Sequence, residues 1–264
     1  MDLAATLTDK KDVRLYHKRD SHWNNLGARI GYDALMKAAG GNVGAYADTP
    51  YTIQEVWDGD LDKLLGNTQK DQQAVWETDF TYEYTSRYRS EEDVLITTAC
   101  ANGQGHLVMF RDSFANALLP LLAEQYATAT FSRALPYALD LTEIEEADTV
   151  IVEIVERNLS NLLAYAPKMA APAREMPTAT ENGTYVSATA VKSGNYVKVS
   201  GFTDGVADRI CLAVNGVAYE ATPIAEGDAA ADNGFTAYLP ADCAGQPITL
   251  LCEYQGNWMN QGTI

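Results

Sequence analysis

One run constrains the fold more than any other: His106-Leu-Val-Met-Phe-Arg-Asp-Ser-Phe-Ala-Asn-Ala-Leu-Leu-Pro-Leu-Leu-Ala-Glu124. Its first residues form a short apolar stretch of the kind found in buried strands, and Leu118, Leu119, Leu121 and Leu122 then recur at helical spacing. A strand therefore runs almost directly into a helix, and Ser113 sits at the turn. That position leaves a hydroxyl prominent beside the unpaired amides of a helix's first turn, where a negative oxygen is stabilised. The same Asp112-Ser113 pair is equally what an ordinary helix cap uses.

The surrounding pattern extends this unit. Val94 to Thr98, Ala127 to Phe131 and Thr149 to Val155 read as strands, the last as a buried one, and Leu26 to Ala39 reads as a helix stopped by Gly40-Gly41. The tract from Thr78 to Tyr88, rich in Tyr and Thr, reads as a further strand. Strands alternating with helices predict an α/β domain, a parallel sheet flanked by helices with ligands at the carboxyl ends of its strands. Residues 166–177 carry three prolines and no strong periodicity. Beyond them, short alternating runs begin at Tyr185, Tyr196, Arg209, Val217, Phe235 and Ile248, with Asn215-Gly216 as a hairpin signal. With 264 residues available, the expected organisation is an α/β domain over 1–165, a linker over 166–179 and a small all-β sandwich over 180–264.

Charge narrows the function classes. The 19 Lys and Arg against 36 Asp and Glu leave −17, a field that repels phosphate backbones and anionic bilayers, so nucleic acid and membrane surfaces are excluded as expected partners. No apolar run has the length of a membrane span, and Met1-Asp-Leu-Ala-Ala-Thr lacks a basic leader region. No cysteine or histidine spacing suggests a metal site, and the set His17, Asp20, His22 matches no coordination pattern. Cys211 and Cys252 fall in strand-like runs that allow either a bond across the sandwich or two buried thiols.

The chain has three histidines, His17, His22 and His106, so general bases are few. His22 lies two residues after Asp20, close enough in a turn for the carboxylate to take an imidazole N–H and fix its tautomer. Ser113 is the available nucleophile. Asp20 and Ser21 also suit a turn that caps the helix from Leu26, with His22 and Trp23 packed beneath it.

Lys18-Arg-Asp-Ser-His-Trp-Asn-Asn-Leu-Gly-Ala28 resembles the Asp-x-His-Trp motif of the SGNH-hydrolase-like family that includes the alginate O-acetyltransferases and the DHHW proteins of Gram-positive bacteria. Phe110-Arg-Asp-Ser-Phe-Ala-Asn116 resembles its nucleophile block, and Ala147-Asp-Thr-Val-Ile-Val-Glu-Ile-Val-Glu-Arg-Asn-Leu159 a later block in which a buried strand ends in Glu-Arg. The resemblance implies Ser113 as nucleophile, His22 as general base and Asp20 as its orienting carboxylate. The Phe114 amide would be an oxyanion donor. Arg111, standing where many relatives have Gly, would crowd the turn or supply a positive charge to substrate or oxyanion. Read from the residues, Arg133 after its strand is a surface arginine at a strand end or an anion contact near the site, and Trp23 walls the cleft, stacks on a sugar or packs in the core. The implied reaction is O-acetylation of a cell-envelope or secreted polysaccharide through an acyl-serine, outside the cytoplasm, with a membrane-bound acyltransferase as acetyl donor and no cofactor or metal. The alternatives are an O-acetylesterase using the same three residues and a non-catalytic glycan-binding or assembly protein. Relatives carry a longer part ahead of the Asp-x-His-Trp motif, whereas Asp20 here follows Met1 closely.

Overall fold

The computed structural model describes residues 3–10, 12–182, 187–225 and 232–264. They divide into two compact units, residues 1–134 with 142–155, and residues 135–141 with 156–264.

In the first unit α1 (Ala4–Thr8) precedes α2 (Asn25–Ala39). α2 begins where Asn24 Oδ1 accepts the Leu26 and Gly27 amides, and it ends at Gly40, whose φ of +73° disfavours any side chain. Its Ala28, Tyr32 and Met36 enter the main core with Trp23. β1 (Tyr51–Trp57) and β2 (Asp71–Trp76) form an antiparallel pair, and α3 (Asp60–Leu65) fills their connection. The register jumps between Glu55 and Trp57, so Val56 is an extra residue in β1 and bends the strand end.

A five-stranded sheet follows. It is built from β3 (Glu83–Tyr84), β4 (Leu95–Ala99), β5 (His106–Phe110), β6 (Thr128–Ser132) and β7 (Thr149–Val152), in the order β3-β4-β6-β5-β7. Only β5, β6 and β7 run parallel; β4 is antiparallel to β6, and β3 to β4. The sheet is therefore mixed rather than parallel, because the short segment between β4 and β5 cannot carry the long crossover that parallel strands need. In β5, between β6 and the edge strand β7, Leu107, Val108, Met109 and Phe110 are at most 1% exposed, each worth about 1.5–3 kcal/mol of burial. β7 is shorter than its apolar run and lies at the edge, with Val150 and Val152 exposed on one face. The Tyr-rich tract yields only the two residues of β3; Tyr84 and Tyr88 stack at 3.7 Å, and Tyr82 meets Tyr84 edge-on. After β5 comes a 3-10 turn, Ser113–Ala117, and then α4 (Leu119–Ala123), which carries Pro120 in the first turn, where its missing N–H costs nothing.

The second unit holds two sheets. β10 (Ser187–Ser193), β11 (Tyr196–Phe202) and β14 (Gly234–Pro240) form one. The other runs β8-β13-β12-β15-β16-β9, from β8 (Ala173–Arg174), β9 (Thr180–Glu181), β12 (Arg209–Val214), β13 (Val217–Glu220), β15 (Thr249–Tyr254) and β16 (Asn257–Thr263). Both contribute to one apolar core, with Val199, Phe235 and Leu239 from the first and Leu212, Leu250 and Cys252 from the second. Asn215 and Gly216 take φ of +50° and +81°, the geometry of a tight hairpin turn. Residues 166–179, expected as a linker, belong to this unit: the Ala171 amide donates to Tyr238 O and the Glu220 amide to Pro172 O, and Ala173–Arg174 is a strand. Prolines suit such an edge, where no ladder N–H is required. Tyr185 and Val186 of the expected first strand lie outside the described residues. Cys211 faces Leu251 and Cys252 faces Ile210 across β12 and β15, so the two thiols occupy opposite faces of one sheet, and all four cysteines are free and buried. Among the described residues no helix is long and apolar enough to cross a membrane.

Candidate active site

The start of the loop before α2 is held by two carboxylates. Asp71 Oδ2 accepts the Lys18 and Arg19 amides, and buried Asp62 binds the Arg19 guanidinium at 2.6 Å. Gly59 lets the neighbouring turn close over this loop, since a Cβ there would lie 2.1 Å from Arg19 O. Within the frame, His22 Nδ1 is 2.6 Å from Asp20 Oδ1, and His22 Nε2 is 2.7 Å from Ser113 Oγ. With the Nδ1 proton directed to Asp20, Nε2 is left to accept from the serine hydroxyl. Sequence-distant residues thus form one continuous hydrogen-bond chain, Asp20 to His22 to Ser113.

Residues 1–108 match the family described as SGNH hydrolase-like domain, acetyltransferase AlgX. That match bears out, over this stretch, the resemblance drawn from Asp20-Ser-His-Trp23; it ends before Ser113. No curated protein matches the sequence. Among solved structures, a DHHW family protein from Eubacterium siraeum aligns over 56% of this chain and 61% of its own, at 17% identity and a TM-score of 0.47. Bacillus cereus PatB1 aligns over 55% and 64%, at 20% identity and a TM-score of 0.42. Pseudomonas aeruginosa AlgX aligns over 99% and 70%, at 15% identity and a TM-score of 0.36. The chain spans less than two thirds of the length of the first two.

The AlgX-like stretch also supplies partners that sequence reasoning missed. Asp20 Oδ2 accepts the Trp57 indole N–H at 2.8 Å and the Asp60 amide at 3.0 Å, while Oδ1 takes the His22 amide as well as its ring. Burial raises the Asp20 pKa, but these four donors outweigh it and hold the carboxyl below its ordinary value, hence ionised. Trp57 reaches Asp20 from the bulged end of β1 and stacks on buried His17 at 4.6 Å. The only sequence sign of this role was the turn-forming Trp57-Asp-Gly-Asp60. Asp20, His22 and Asp60 bring ligand-type atoms within 4.8 Å of one another. Those atoms are committed to hydrogen bonds: Asp60 takes the Ser21 amide and hydroxyl, and both His22 nitrogens are engaged.

Trp23 is 4% exposed and donates its indole N–H to Phe114 O at 2.8 Å. It is a brace tying the His22 loop to the seryl turn; it contributes to the cleft lining, but most of its ring is unavailable for stacking on a sugar. Gly31 of α2 makes this fit possible, because a Cβ there would lie 2.8 Å from the Trp23 ring.

Three further expectations are corrected by packing. The Phe114 amide donates to Asp112 Oδ1 at 2.9 Å, so the expected oxyanion donor is engaged by the turn's own cap. Arg111 is 1% exposed and faces inward, bonding Asn116 Oδ1 at 2.6 Å and Glu91 O at 2.7 Å. Burial first, and Arg133 nearby, lower its pKa to about 10; it shapes the turn and does not line the cleft. Arg133 pairs with Glu92 behind the cleft wall, which spends its charge on a carboxylate of the protein.

Beneath the turn, Asp112 Oδ2 accepts the Val155 amide and Glu153 Oε2 accepts the Asp112 amide at 3.0 Å. Burial, and then the adjacent Asp112 carboxylate, push Glu153 up to about 7. The block ending in Glu-Arg thus anchors the seryl turn through Glu153.

Ser113 and His22 open onto a cleft of about 700 Å³ that Trp57, Tyr82, Tyr84 and Phe114 help to line, a size suited to part of an oligosaccharide.

Proposed function

We propose that this cleft performs serine-dependent acyl transfer onto polysaccharide, as an O-acetyltransferase of a cell-envelope or secreted glycan. The observation that carries the reading is the chain from Asp20 through His22 to Ser113. Ser113 Oγ attacks the ester carbonyl of an acetyl donor while His22 Nε2 takes its proton. The tetrahedral intermediate collapses, the donor alcohol leaves with that proton, and acetyl-Ser113 remains. A sugar hydroxyl, deprotonated by His22, then attacks the acyl-serine and regenerates the hydroxyl of Ser113. Water in the place of the sugar gives the esterase reaction on the same residues. Asp20 stays ionised throughout and balances the imidazolium that forms in each half. The Ser113 amide opens the 3-10 turn, and we assign the oxyanion to it in place of the Phe114 amide.

The family matched by residues 1–108 is described as an acetyltransferase, which supports acetyl as the group transferred; the polysaccharide acceptor, the site outside the cytoplasm and a membrane-bound acyltransferase as acetyl source are carried over from the motif resemblance. We read the second unit, with its two sheets over one core, as an accessory β-sandwich that holds glycan. The test is turnover of 4-nitrophenyl acetate by the wild type, Ser113→Ala and His22→Ala proteins. Loss in both variants supports the reading, and turnover in Ser113→Ala equal to wild type refutes it.

A further inference from the structure

The lining of the cleft carries a charge pattern that bears on what it binds. Five carboxylates face it, Asp20, Asp58, Asp60, Glu91 and Glu92, against one lysine, Lys63. Some of that charge is balanced, Asp58 by Lys70 at 2.5 Å and Glu92 by Arg133, whereas Asp20 is held by four neutral hydrogen-bond donors and keeps its charge. Glu91 and Asp60 are held differently. Glu91 accepts the Tyr88 hydroxyl, and Asp60 accepts the Ser21 amide and hydroxyl. Neither has a lysine or arginine partner among the described residues. The arginines that would recognise an anionic sugar are turned away, Arg111 into the core and Arg133 onto Glu92.

Resting on the reading of Ser113 as the acyl-accepting serine, we infer that the acceptor is a glycan segment without carboxylates, and that the cleft rejects polyuronates. A cleft lined predominantly by one sign of charge, here five carboxylates against Lys63, focuses its potential inward and lowers the local concentration of like-charged ligands. An oligouronate carries one carboxylate per sugar and would be repelled at each position. A neutral sugar meets the reverse situation, since ionised carboxylates are strong acceptors for its hydroxyls. The half-buried faces of Trp57, Tyr82 and Tyr84 offer apolar surfaces on which pyranose rings pack. Specificity here is built as much from repulsion of the wrong ligand as from attraction of the right one.

The test measures binding, so it does not depend on turnover. The Ser113→Ala variant of the 264-residue chain is titrated with neutral pentasaccharides of glucose, mannose and N-acetylglucosamine and with a pentamer of mannuronic acid, following tryptophan fluorescence. At low salt at least one neutral probe binds roughly tenfold or more tightly than the uronate, and the gap narrows at about 0.5 M salt. Glu91→Gln raises uronate binding. Equal or tighter binding of the uronate, a gap indifferent to salt, or no binding of any neutral probe overturns the inference. If the binding order holds while the wild type fails to form an acyl-serine, the acyl-transfer reading alone falls.

Discussion

Glu153 offers a prediction whose size follows from its surroundings. Its carboxyl lies under the seryl turn, accepts the Asp112 amide and faces the Asp112 carboxylate. Burial and that neighbour raise it from 4.5 to about 7, a difference worth about 3 kcal/mol between its two protonation states. The sign is fixed by linkage. A carboxyl raised in the folded state lends stability that is full below its unfolded pKa and is lost as pH rises through the folded one. The wild type should therefore lose about 3 kcal/mol between about pH 4.5 and about pH 7.5 from this group. Glu153→Gln keeps an acceptor for the Asp112 amide and a donor for the Asp112 carboxylate, and it has no proton to lose. The variant should match the wild type near pH 4.5 and be more stable above about pH 7.5 by roughly 3 kcal/mol. Urea unfolding followed by tryptophan fluorescence measures this, because Trp23, Trp57 and Trp76 lie in the first unit and Trp258→Phe silences the second. Parallel pH profiles for the two proteins, or a variant less stable near pH 8, would refute the argument.

Other outcomes follow from the same contacts. Asp20→Asn places an amide group among four donors, so the His22 tautomer is no longer fixed; turnover of 4-nitrophenyl acetate should fall on the order of 10³–10⁴-fold, and a change under tenfold would contradict the orienting role. Trp57→Phe removes one charge-assisted bond to Asp20, and urea unfolding should show the first unit weakened by about 1.5–3 kcal/mol; no loss would mean the bond is dispensable. Gly31→Ala forces a methyl group against the Trp23 ring and should destabilise the same unit by about 1–3 kcal/mol; unchanged stability together with unchanged turnover would show that Trp23 is no brace.

The sequence made local arrangements legible and long-range ones only in part. Asp20 and His22 are two residues apart, so their contact follows from a turn, and Ser113 shows itself by the change from strand to helix around it. The approach of His22 to Ser113 spans 91 positions and was suggested by motif resemblance rather than by periodicity. Trp57 could not be found this way, since its reach to Asp20 depends on the bulge at Val56 and on Gly59 closing over Arg19. Arg111 misled because a positive charge near a serine looks like an anion contact until its burial is known; for Arg133 the sequence left an anion contact and a surface strand-end arginine open, and its pairing with Glu92 decides between them. Likewise the apolar run at Thr149 to Val155 reads as a buried strand, yet sheet order puts it at an edge, where Val150 and Val152 are exposed. Periodicity reports which face of a strand is apolar and is silent on which strands become neighbours.

The central claim is that Ser113 takes up an acyl group. Intact-protein and peptide mass spectrometry after brief exposure to 4-nitrophenyl acetate tests it directly. The account predicts one added acetyl group on the wild type, located on Ser113, stronger in the acid-quenched early sample than later, and absent from Ser113→Ala and from His22→Ala. Labelling spread over lysines with Ser113 unmodified, or the same labelling in the Ser113→Ala protein, would contradict it.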